Sequence, residues 1–186
     1  MSAILTSLIS SSVVAAIITY LSNVKIKNKE LIVQIKLEEQ NKWIANIDKS
    51  LEKFVECNIE YLNALYEYSL DKLDDRKISE YLLSSYKAQH SLTFYINQNE
   101  YNDELAAIIM DTIEEIVTTL KAQLTICAEV RSGHEDFKKV YNEMDNNEVN
   151  LGQFNVDLAM KVGNLAKEEK KALANEATKS WSVFNF

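Results

Sequence analysis

The chain contains no proline, and its glycines are confined to Gly133, Gly152 and Gly163. Proline and glycine shape tight hairpins, bulges and phosphate-cradling loops, so a sheet-rich fold would lack its punctuation here. An all-α chain is the expected consequence. Behind an apolar N-terminal segment, the remaining length suits one domain with a single core.

Apolar spacing divides that length into helices. Ile44, Ile47, Leu51, Phe54 and Val55, Leu62, Leu65 and Tyr66 recur at a helical period up to the polar Asp71–Arg76 cluster, so the first helix is expected to be very long. Asp74 or Asp75 caps a second helix from Ile78 to about Ile96, with a stripe of Leu82, Leu83, Tyr86, His90 and Phe94. A third, capped by Asn102, runs from Asp103 to Val130 with Leu105, Ile109, Ile113, Ile116, Leu120 and Leu124 on one face. Ser132-Gly-His-Glu135 has the form of a capping box and predicts a short helix, Phe137–Met144, ended by Asp145-Asn146-Asn147. A last helix, Gly152 to Ser180, presents Phe154, Leu158, Val162, Leu165 and Leu173. Short connections imply an antiparallel bundle of the four-helix type.

The N-terminal segment raises a separate question. Ile4 to Leu21 reads ILTSLISSSVVAAIITYL without one charge. Extended to Ala3 it is about 19 residues, which at ~1.5 Å each nearly matches the ~30 Å hydrocarbon core of a bilayer. No Lys or Arg precedes it and Thr19-Tyr20-Leu21-Ser22 is a poor cleavage site, so residues 1–22 are read as a retained transmembrane anchor. Residues 23–186 form the bundle, with a basic collar over 24–36. Lys25, Lys27 and Lys29 hold their flank in the cytoplasm and leave the N-terminus outside, a single-pass cell-membrane topology. The same lysines lie at lipid headgroups, each worth on the order of 1 kcal/mol there. The competing reading is a buried helix of a soluble bundle. Within the anchor, Ala3, Ser7, Ser11, Ala15 and Thr19 recur every four residues and form a groove that would let a second helix approach; small residues merely tolerated in a short span are the alternative.

Little chemistry is in view. A net charge of -8 opposes nucleic-acid binding. Cys57 and Cys127 have no partner at metal or redox spacing, and neither His90 nor His134 stands in a Glu-x-x-His pair, so no metal or other cofactor is expected. His90 reads as a packing residue, and Asp111, Glu114 and Glu115 as a solvated face. With no nucleophile elbow or glycine-rich loop, neither an enzyme nor a small-molecule substrate is indicated. Tyr61 and Tyr68, with Trp181, Phe184 and Phe186, are the candidate partner surface. Burial between helices, or docking of the aromatic tail on the bundle, is the other reading.

Two stretches, Lys42-Trp43-Ile44 with Ile47 and Leu51, and Phe94-Tyr95-Ile96-Asn97 with Glu100 and Glu104, resemble a loose group of short bacterial and phage proteins with an N-terminal anchor and a lysine-rich exit. Proline often follows the asparagine in that group, where this chain has Gln98. The resemblance implies accessory membrane components, some linked to phage defence or exclusion, and no catalytic residues. The expected function is therefore a non-enzymatic, membrane-anchored helical module that binds a partner or senses an event, as a homo-oligomer or with a partner membrane protein. A self-associating anchor that perturbs the bilayer is the alternative.

Overall fold

The computed structural model describes the backbone of residues 2–182; the side chains of residues 2–18, 21, 139 and 179–182 are outside the described set. The described residues form four helices, α1 (Ser2–Ser69), α2 (Asp75–Ile96), α3 (Asp103–Arg131) and α4 (Phe137–Ser182). No strand occurs among the described residues. Residues 43–186 form one compact unit and residues 1–42 another. The basic collar thus groups with the N-terminal unit, and the bundle proper begins at Trp43.

Within the bundle, polar pairs report the register. The Trp43 indole N–H donates to the Tyr95 carbonyl at 2.8 Å, Ser50 and Ser91 hydroxyls meet at 3.0 Å, and the Ser85 hydroxyl donates to Asn58 Oδ1 at 2.7 Å. The partners run in opposite directions, so α1 and α2 are antiparallel. On the other side of the bundle Lys161 Nζ donates to Thr112 at 2.7 Å and Asn147 Nδ2 to Gln123 Oε1 at 2.9 Å, which makes α3 and α4 antiparallel too. Ile47, Phe54, Leu65, Leu92, Ile113 and Leu158 are among the residues fully buried between them.

Helix ends follow their caps. Asp74 begins α2, its carboxylate accepting from the Lys77 N–H at 2.7 Å. The turn before it holds Asp71 at φ 59°, a left-handed conformation that a short polar side chain tolerates. Arg131, at the end of α3, locks this turn. It donates to the Leu73 carbonyl at 2.7 Å, pairs with Asp71 at 3.1 Å and lies 4.3 Å over the Tyr68 ring.

Three expectations require correction. The α2 stripe is rotated: Ile78, Ser85, Ala88, Leu92 and Ile96 are buried, whereas Leu83, His90 and Phe94 are exposed. Small Ser85 and Ala88 take the face where α1 and α2 approach closely, so choosing the largest residues picked the wrong side. Ser132 does not open a helix but closes one. With Gly133 at φ 75°, the Gly133 N–H reaches the Val130 carbonyl and the His134 N–H the Glu129 carbonyl, a Schellman closure. Asp136 then caps α4 through the Lys138 N–H at 2.9 Å. Finally, α4 does not stop at Asp145-Asn146-Asn147. Aspartate and asparagine cost at most ~0.7 kcal/mol each in a helix, and Met144, Leu151, Leu158 and Leu165 are buried at seven-residue spacing across the run. Core burial outweighs propensity.

Candidate functional site: an acid-edged apolar groove

Helix α1 has a second apolar stripe beside the one that enters the core. Leu51, Val55 and Ile59, four residues apart, form the floor of a groove of about 580 Å³, which Ala159 of α4 completes. Asp48, Glu52, Glu56 and Glu60, also four residues apart, form an acidic ridge along it. One ion pair tempers the ridge, Lys53 to Glu56 at 2.8 Å.

From α4 the groove is lined by Ala159. Val156 and Met160 are 63% and 64% exposed, flanked on the helix by Gly152 and Gly163. A glycine inside a helix costs roughly 1 kcal/mol relative to alanine. Nothing in the bundle requires either one, since an added Cβ would meet no atom within 4 Å. What two mid-helix glycines do provide is a backbone another helix can approach closely. An apolar floor beside an acidic ridge is a surface of the kind that receives an amphipathic helix. Among the described residues, no group of His, Cys, Asp or Glu is arranged to hold a metal ion.

The residues singled out from sequence are dispersed. Tyr61, expected on a partner surface, is 1% exposed and belongs to the core. It lies between Phe54 and Leu65 on the inward face of α1, and burial raises its phenol pKa. Tyr68 is half-buried and engaged within the chain, donating to Asp75 Oδ1 at 3.0 Å beneath Arg131. The side chains of Ala3, Ser7, Ser11, Ala15 and Trp181, and all of Phe184 and Phe186, lie outside the described residues. Thr19, Lys25 and Lys27 are exposed and Lys29 is half-buried. Among the described residues, no helix is long and apolar enough to cross a membrane. The segment read as the anchor, residues 1–22, has described side chains only at Thr19, Tyr20 and Ser22.

His90, read as a packing residue, is exposed. Asp111, Glu114 and Glu115 are exposed as well, along one solvated face. Cys57 and Cys127 are free thiols buried in the core, and burial pushes the Cys127 thiol up to about 12. At neutral pH the Cys127 thiol is protonated.

The groove was missed because Leu51 and Val55 were assigned to the same stripe as Phe54 and Leu65. The signal was present in the alternation of Asp48, Glu52, Glu56 and Glu60 with Leu51, Val55 and Ile59, two four-residue ladders one position apart. The two stretches behind the family resemblance meet in space, since the Trp43 indole bonds to the Tyr95 carbonyl and Ile47 and Ile96 are both in the core. No family model matches the chain, and neither do curated proteins or solved structures.

Proposed function

We propose that the chain is a non-enzymatic, membrane-tethered binding module. In this reading residues 1–22 hold it in the cell membrane with the N-terminus outside, and the cytoplasmic bundle captures an amphipathic helix of a partner in the α1–α4 groove. The observation that carries it is the pairing of an apolar floor with a carboxylate ridge on one face of α1. A helix offering a leucine or methionine stripe flanked by lysine or arginine would bury its stripe on Leu51, Val55 and Ile59 and set its cations along the ridge. The groove of a second copy is a poor occupant, because two acidic ridges would face each other.

The binding test uses the purified full chain and two synthetic amphipathic helices, identical except that one bears lysine and the other glutamate on its polar face. The lysine peptide is expected to bind, with affinity falling as salt rises. Replacing Glu52, Glu56 and Glu60 together by lysine is expected to weaken binding by at least about tenfold, a loss of roughly 1.4 kcal/mol, without lowering Tm. Equal binding of both peptides would remove the groove's charge from the account. The tether is tested separately by alkaline extraction of membranes containing the chain. Retention in the bilayer fraction is expected, and release into the supernatant would contradict residues 1–22 as an anchor.

A further inference from the structure

The N-terminal unit has its own apolar surface, independent of the groove. At 100° per residue, Val24, Asn28, Leu31 and Ile35 fall on one stripe of α1. All four are exposed, Leu31 at 55%. Their three-and-four spacing is that of a coiled-coil seam, with Asn28 and Ile35 at a positions and Val24 and Leu31 at d positions. The helix that bears them is already formed, because α1 extends well beyond the stripe on both sides. A short seam therefore has no nucleation cost to meet.

We infer that residues 24–37 pair in parallel with the same residues of a second copy of this chain. A lone asparagine in an apolar seam is costly against an aliphatic residue and satisfied against another amide, and only a parallel, in-register copy guarantees that match. The flanks agree. In that register Tyr20 faces Lys25 of the other copy and Lys27 faces Ile32, so no like charges are opposed along the seam, which ends before Glu38, the next d position. A lipid surface fits less well. A helix lying in the membrane interface needs one apolar face, and here Ile26, Val33 and Leu37 form a second stripe nearly opposite the first, with Lys25, Lys29 and Lys36 between them.

The test is oxidative crosslinking of the full chain in the membranes in which it is expressed, with single cysteines introduced by Val24→Cys, Leu31→Cys or Leu37→Cys. The unsubstituted chain, whose Cys57 and Cys127 are buried, supplies the background. Facing d positions bring the backbones close enough for a disulfide. Val24→Cys and Leu31→Cys are expected to shift the chain to dimer mass on non-reducing gels, while Leu37→Cys stays at background. Crosslinking at Leu31→Cys without Val24→Cys would mean the pair is not parallel and would overturn the inference. So would comparable dimer at all three positions, or none at any, the latter being the result for a helix lying on lipid. Failure of the groove to bind a peptide would leave these outcomes unchanged.

Discussion

Glu169→Ala is expected to destabilise the bundle by about 3 kcal/mol, read from urea unfolding of the two chains. Glu169 is only 3% exposed, a charged residue on the inward stripe of α4 between Leu165 and Leu173. Its carboxylate reaches across to the α2–α3 turn, accepting from the Tyr101 N–H at 3.0 Å and from the Glu100 N–H and Asn102 Nδ2 at 3.2 Å each. Asn102, the residue before α3, makes no side-chain capping bond of its own. Glu169 therefore supplies from another helix the negative charge that a helix N-terminus favours. Alanine would leave three donors around a buried gap, each unsatisfied one costing roughly 1 kcal/mol or more. Glu169→Gln keeps a carbonyl acceptor and is expected to lose about half as much. A loss below about 1 kcal/mol for the alanine variant would show that the turn holds without this clamp.

Phe54→Ala and Phe94→Ala form the second contrast. Phe54 is fully buried, and deleting its ring removes apolar contact and leaves a cavity, for an expected loss of about 3 to 5 kcal/mol. Phe94 is 58% exposed on the outer face of α2, with an edge-on contact to Tyr95 at 5.3 Å between ring centres. Its removal is expected to cost less than about 1 kcal/mol. Similar losses at the two positions, read as shifts in the urea midpoint at constant m, would return α2 to the face the large residues suggested.

Phe94 also marks the limit of what the sequence made legible. On α3 the reading held for Ile109, Ile113, Ile116 and Leu120, which are buried, with Leu105 and Leu124 half-buried toward the ends of the stripe. On α2 the two criteria part. The face toward α1 is built from Ser85, Ala88 and hydroxyl pairs such as Ser50 with Ser91, and close helix approach selects small residues there. The continuity of α4 depends on the burial of Met144 and Leu151 on either side of the Asp-Asn-Asn run, a tertiary effect that overrides local propensity. Glu169 was invisible for a related reason, since its partners lie about seventy residues away in sequence. Of the groove, the ladders were readable. That Ile59 stays open to solvent, with Val55 half-buried next to it, could be seen only once α4 was placed beside them.

The central claim is that the α1–α4 groove receives a basic amphipathic helix. Amide hydrogen exchange of the full chain with and without the lysine-edged peptide tests it most directly, because exchange locates the contact on the chain. Added protection is expected in residues 48–60 of α1 and 152–163 of α4, with α2 and α3 unchanged. Protection centred on α2, or none at peptide concentrations that give saturable binding, would contradict the claim.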